Sequence, residues 1–165
     1  KPFQLLGNLL HLDMTSELIL ADRLANLLMK DGKKAKAVSI VCEALGFAKK
    51  ARIRNGNLIS GLRILQVAVE RVQPSIEIRR VRVHGTTHQV PASLSAHRQE
   101  GLALRWFVEA ARALRKSSKG KLSFSESLGQ VLLEGFQGEG VARQKRDTLH
   151  KMAEANRASA HYRWW

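Results

Sequence analysis

The sequence holds a single cysteine, Cys42. No internal disulfide or cysteine-rich zinc site can form from it, which fits a reducing compartment or no redox role, and the expected place for this small side chain is the core. Nothing approaches the roughly eighteen consecutive apolar residues of a membrane span. Leu5 to Leu12 is too short and is broken by Gly7, Asn8 and His11, so a soluble protein is expected. Residue 1 is Lys rather than Met, in keeping with a processed or partial chain. There is no repeat of fixed period, no low-complexity tract and no long linker, which makes one domain the economical organisation.

Catalytic signatures are equally scarce. The chain has no phosphate-cradling P-loop, no dinucleotide glycine fingerprint, no paired-histidine zinc helix, no nucleophile elbow and no carboxylate cluster for metal-dependent nucleic-acid chemistry. No enzyme and no cofactor are expected. Asp31-Gly32-Lys33-Lys34 lacks the preceding strand and the second glycine of a phosphate loop and reads as a turn between helices. His84 and His88 have no nearby Cys or carboxylate, so hydrogen bonding to a partner is expected of them rather than metal ligation.

Acidic residues are few: 14 Asp and Glu face 28 Lys and Arg, leaving a net charge of +14 and a pI of about 10.8. The excess lies in four segments, residues 30–54 (+6), 71–97 (+3), 98–121 (+5) and 139–165 (+3). A polybasic membrane anchor would be contiguous, whereas this basic surface has to be assembled by folding. Solubility needs only a charge of about 2 to 8. The surplus therefore points to a polyanionic partner, nucleic acid before an anionic membrane. With 165 residues, 44% of them apolar, the chain can build a core that removes roughly two-thirds of its unfolded surface from water.

Periodicity predicts about six helices and one ribbon. The first helix is expected from Thr15 or Ser16, either of which can cap it, to just before Asp31-Gly32, with Leu18, Ala21, Ala25 and Leu28 among its apolar residues. The second begins near Lys33, with Val38, Val41, Cys42, Leu45 and Ala48 as its buried stripe. Basic residues bracket it: Lys33, Lys34 and Lys36 in front, Lys49, Lys50, Arg52 and Arg54 behind. The third spans about Asn57 to Gln73, with Leu58, Leu62, Leu65, Val69 and Val72 in line, and Pro74 stops it. The period then falls to two over Ile76–Val83 and Thr86–Val90, which flank His84-Gly85 and predict a β-hairpin at about 75–92. Arg80 and Arg82 share one face with Ile76 and Ile78, and neither face is uniformly apolar near the tip. Such a ribbon must lean on helices and suits a groove.

The fourth helix, about His97 to Lys116, brings Arg98, Arg105, Arg112 and Lys116 within about 20° of one line, opposite Ala103, Phe107, Ala110 and Leu114. A fifth is expected from Ser123 to Phe136 with Phe124, Leu128 and Leu132 inward. After Gln137-Gly138-Glu139-Gly140 a sixth, from Val141 to Ser159, lines up Arg143, Arg146, His150 and Arg157. Glu109 is placed to neutralise Arg105, and Glu154 to pair with His150 or Arg157. Tyr162, Arg163, Trp164 and Trp165 can stack on bases or pin the tail to the core.

Four longer stretches carry a resemblance: Leu28 to Lys34 (Leu-Met-Lys-Asp-Gly-Lys-Lys), Gly85 to Pro91 (Gly-Thr-Thr-His-Gln-Val-Pro), Leu102 to Arg112, and His150 to Arg157 continuing through His161-Tyr162-Arg163-Trp164. In this order and spacing, from about Asp13 onward, they resemble the small-subunit ribosomal protein S-seven family of bacterial and organellar type. The resemblance implies a six-helix domain with a protruding β-ribbon, bound to the 3′ major (head) domain of small-subunit ribosomal RNA. It also implies a role in head assembly and a position beside the exit-site tRNA and the mRNA exit path, next to ribosomal protein S-eleven. Carried over to this sequence, Lys33, Lys34, Arg79, Arg80, Arg82, Arg105, Arg112, Arg143, Lys145, Arg146 and Lys151 are implied to meet RNA, and Trp106 and Phe107 to be structural. The ribbon tip, Arg80, Arg82, His84, Gly85 and Thr86, is implied to lie near tRNA and mRNA.

Bacterial members usually have two glycines at the ribbon tip, where His84 replaces the first. They also have a tyrosine near His88 and more arginine before the fourth helix, where this chain has Ser95-Ala96-His97-Arg98-Gln99. Fewer phosphate contacts are expected at that junction. The Arg-Trp-Trp ending resembles mitochondrial members, so a mitochondrial ribosome is expected before a plastid or bacterial one.

The combined expectation is a mainly α single domain at 15–165 behind an N-terminal extension at 1–14. The expected RNA-binding set is the carried-over residues together with Lys36, Arg98, Lys116, His150 and Arg157. No membrane partner and no homo-oligomer are expected. A free DNA-binding regulator is the alternative.

Overall fold

A computed structural model describes residues 11–54 and 59–165. Its elements run in the order α1 (His11–Leu28), α2 (Lys34–Arg54), α3 (Gly61–Val72), β1 (Ile76–Val83), β2 (Thr86–Ser93), α4 (Ala96–Ser117), α5 (Phe124–Gln137) and α6 (Gly140–Ala155), followed by a 3₁₀ turn, Arg157–Tyr162. The mainly helical class with a hairpin between the third and fourth helices is as expected. No helix among the described residues is long and apolar enough to cross a membrane.

α5 sits at the centre, packed against α2, α3 and α4. It starts on a reciprocal cap: Ser123 Oγ accepts from the Glu126 N–H at 3.1 Å, while Glu126 Oε2 accepts from the Ser123 N–H at 2.9 Å. Its Leu128 and Leu132 are fully buried with Leu24, Leu65, Leu104 and Phe107. Two glycines set how close its neighbours come. A Cβ on Gly129 would lie 2.8 Å from the Ala44 carbonyl oxygen of α2, and one on Gly135 would lie 2.6 Å from the Phe107 ring of α4.

That close approach explains one correction. α2 turns Ala37, Val41, Ala44, Leu45 and Ala48 inward, and the small Ala44 lies where Gly129 of α5 comes closest. Cys42 is exposed rather than in the core, and Val38 is also exposed. Both line an open apolar groove with Leu18 of α1 and Leu62 of α3.

Three helix limits also differ from the sequence reading. α1 is already helical at His11, so neither Thr15 nor Ser16 caps it. α3 begins at Gly61 because Ser60 Oγ takes the Arg63 N–H at 3.1 Å; Asn57 and Leu58 lie outside the described residues. α6 ends at Ala155 because the Asn156 side chain bonds back to the Met152 carbonyl at 2.8 Å and competes with the next helical turn. Arg157 therefore leaves the line of α6.

The ribbon is a register-perfect antiparallel pair from Ile76 opposite Ser93 to Val83 opposite Thr86. The two turn residues have positive φ, 48° at His84 and 85° at Gly85, the hand that suits the twist of a two-residue hairpin. One ribbon face, with Glu77, Val81, Val90 and Ala92 buried, leans on α6 and the 3₁₀ turn. The Ser75 N–H donates to His150 Nε2 at 3.3 Å and ties the strand entry to α6.

Candidate nucleic-acid interface

The exposed side of α4 is the basic line that its periodicity predicts. Arg98, Arg105, Arg112 and Lys116 all face solvent, along roughly 27 Å at 1.5 Å per residue. Arg105 and Arg112 have no ion-pair partner among the described residues. Glu109, expected to neutralise Arg105, instead reaches across to Lys145 of α6, because α6 packs against that flank of α4. Grooves open at both ends of the line. At the N-terminal end, Arg23 of α1, His97, Arg98 and Arg105 line one of about 510 Å³. Arg23 is held there by Glu100 and by the His97 carbonyl.

A second opening, about 620 Å³, lies at the C-terminal end of α4. Lys30, Arg112, Arg115, Lys116 and Lys119 line it. Sequence reasoning missed Lys30, Arg115 and Lys119. Their charge was visible, but Lys30 is separated from the others by more than eighty residues, and only the docking of α1 against α4 brings it over. Lys36 sits one helical turn before Ile40, a further lining residue of this opening, on the same face of α2. In the α1–α2 turn, Asp31 and Gly32 have positive φ, Lys33 lies 3.7 Å from Asp31, and Lys34 pairs with Asp22 at 2.6 Å. The Lys34 hydrogen bond holds the Asp22 carboxyl below the usual carboxylate range.

A buried carboxylate joins the α4 line to the ribbon. Glu77 accepts from Arg98 Nε and from Arg79 Nε, both at 2.8 Å. Burial pushes its carboxyl up, but the hydrogen bonds and charge of the two arginines outweigh that and leave it below the ordinary value. The Arg79 guanidinium carbon also sits 5.3 Å from the centre of the Trp165 ring. Arg80 and Arg82 are exposed on the open face and line a cleft with Trp164 and Trp165. Trp164 is 80% exposed. Tyr162 stacks on His88 with ring centres 4.2 Å apart, and Arg163 Nε donates to the Trp165 carbonyl. The tail thus has a pinned part at Tyr162 and an open aromatic at Trp164. The tip residues His84, Gly85 and Thr86 are exposed. Among the described residues no group of three His, Cys, Asp or Glu is placed to hold a metal.

α6 differs from the even basic line drawn from its sequence. Arg143 and Arg146 are partly buried and turn toward the end of α3, where both donate to the Arg71 carbonyl, at 3.2 and 2.7 Å. Each also pairs with Asp147, at 3.2 and 2.9 Å. Burial raises the Asp147 carboxyl, and the two guanidiniums more than reverse this, so it is held low. With His150 accepting from Ser75, three of the four predicted α6 groups serve internal bonds. Lys151 and Arg157 are exposed, and Glu154 pairs with neither His150 nor Arg157 among the described residues.

Comparison with known proteins gives a consistent picture. The family model described as Ribosomal protein S7p/S5e matches residues 8–157. The chain is 42% identical over 146 residues to the small ribosomal subunit protein uS7m of Marchantia polymorpha, 40% identical to uS7 of Acidiphilium cryptum, and 42% identical to uS7 of a Sulfurihydrogenibium species. Each match covers 88% of this chain. It spans 60% of the length of the Marchantia protein and 87% of each bacterial one.

Proposed function

Since the chain belongs to the ribosomal protein S7 family, whose members are structural proteins and not enzymes, we propose that it is a structural constituent of the small ribosomal subunit that binds the 3′ major domain of the ribosomal RNA through α4 and the ribbon. The observation that carries this reading is the line of exposed cations along α4, of which Arg105, Arg112 and Lys116 have no ion-pair partner among the described residues, linked through Arg98 and Glu77 to a ribbon whose Arg80 and Arg82 share a cleft with Trp164 of the tail. Guanidinium and ammonium groups spaced along a rigid helix meet backbone phosphates, while the fold supplies register and shape. In this reading the ribbon tip reaches toward the exit-site tRNA and the mRNA path, beside ribosomal protein S-eleven, and the host particle is the mitochondrial ribosome.

The test is sedimentation of the tagged full chain from fractionated cells, followed by ultraviolet crosslinking and sequencing of the bound RNA. Co-sedimentation with mitochondrial small subunits and crosslinks in the 3′ major domain are expected. A chain found free of ribosomal particles, or preferring short duplex DNA to ribosomal RNA fragments, overturns the proposal. Recovery in plastid or bacterial particles overturns only the host assignment.

A further inference from the structure

The opening at the C-terminal end of α4 is built differently from the rest of the basic surface. Its rim carries five cations from three separate elements, Lys30 after α1, Arg112, Arg115 and Lys116 on α4, and Lys119 in the α4–α5 loop. No carboxylate lines it, and none of the five is ion-paired among the described residues. Beneath them lie apolar side chains, Leu28, Ile40 and Phe124, each only partly buried. The rim is held in shape. Lys119 (φ 52°) and Gly120 (φ 80°) turn the chain back so that their N–H groups donate to the Lys116 and Arg115 carbonyls, at 3.2 and 3.3 Å.

A site for phosphate alone has no use for an apolar floor. A paired RNA helix keeps its bases stacked inside and presents sugar and phosphate, so it offers no flat apolar group to this floor. About 620 Å³ lies within the usual range for a small-molecule site, roughly 300–1,000 Å³, and an unstacked nucleotide has the matching chemistry of a flat apolar base between two anions. We propose that this basin receives one splayed, unpaired nucleotide of RNA, its base against Phe124 and the apolar floor and its flanking phosphates on the ring of cations. This rests on the RNA-binding reading above and adds that the chain distinguishes an interrupted RNA helix from a continuous one at this place.

The probes are a hairpin RNA with one bulged adenosine in its stem and the same hairpin fully paired, each titrated with the full-length protein at fixed salt. The bulged RNA is expected to bind tighter by about fivefold or more, the scale of one base stacked on an aromatic ring. Phe124→Leu keeps an apolar floor but removes the aromatic face, and Lys119→Gln changes only an exposed rim charge; both are expected to shrink that preference. Arg82→Gln, on the ribbon, is expected to weaken both RNAs alike. Equal affinity of the native protein for the two hairpins, or a preference untouched by both basin variants, overturns the basin proposal while leaving RNA binding intact. Failure to bind either RNA overturns the RNA-binding reading and this proposal together.

Discussion

Two pairs of arginines look alike in the sequence and should behave in opposite ways. Arg105 and Arg112 on α4 are exposed and lack a carboxylate partner among the described residues, so changing both to Gln should leave stability within about 0.5 kcal/mol. If each meets one phosphate, the pair should lower the slope of log affinity against log salt by about 1.4 to 1.8, from 0.7 to 0.9 per contact. Extrapolated from molar salt, that difference is on the order of a ten- to thirtyfold loss of affinity at 0.15 M. Arg143 and Arg146 on α6 already have protein acceptors, the Arg71 carbonyl and Asp147, and their side chains are only 32% and 20% exposed. A hydrogen bond to a charged group contributes about 1.5–3 kcal/mol. Partial exposure and shared partners reduce the total, so Arg143→Gln with Arg146→Gln should cost about 2 kcal/mol, a fall of roughly 4–8 °C in Tm for a domain of this size. Their salt slope should stay close to that of the native chain. Thermal denaturation followed by circular dichroism, with anisotropy titrations of a 3′ major domain RNA fragment across a salt series, reads both quantities. If the α6 pair changes the slope as much as the α4 pair does, or the α4 pair lowers Tm as much as the α6 pair, the division into interface and scaffold is wrong.

Acid should loosen the ribbon's attachment. Glu77 titrates lower in the folded chain than its unfolded value of about 4.3, so its contribution is present at neutral pH and fades as pH falls from that value through the lower folded one. Glu77→Gln should reduce stability at pH 7 and flatten the loss below about pH 4, measured by urea denaturation at several pH values; Asp22 and Asp147 are also held low and will keep part of the slope. Gly135→Ala would set a Cβ against the fully buried Phe107 ring. Overpacking of about 1–3 kcal/mol should exceed the gain of about 1 kcal/mol in helix propensity, and the urea midpoint should fall with the m-value unchanged; a raised midpoint would show that Phe107 has room to move.

The sequence states period and charge well and tertiary choice poorly. The α4 line was legible because one helix alone decides it: Arg105, Arg112 and Lys116 are two turns or one turn apart, and their opposite side is plainly apolar. The ribbon was legible for the same reason, since the switch to period two and the His84-Gly85 turn are local. Cys42 was misplaced because α2 has apolar residues on more than one side, and the choice among them belongs to α5 and its Gly129. The α6 line misled because periodicity says which residues share a face but not what that face meets. Here it meets the carbonyl end of α3, which needs donors, and Arg143 and Arg146 supply them. The basin was invisible because Lys30 and Lys119 converge only after folding.

The same distinction ranks the cations within the α4 line. Arg112 and Lys116 can turn to an anion at no cost to the fold, and Arg105 nearly so. Arg98 cannot, because it is one of the two arginines that neutralise Glu77, whose side chain is 11% exposed. A phosphate that drew Arg98 away would leave a buried carboxylate with Arg79 alone, and an unsatisfied buried charge is costly. A phosphate that instead binds the outer nitrogens of Arg98 while its Nε stays on Glu77 adds to the network without breaking it. In the proposed complex the RNA backbone is therefore expected to be held most firmly toward the C-terminal end of α4, while at the N-terminal end Arg98 fastens the ribbon to the helices.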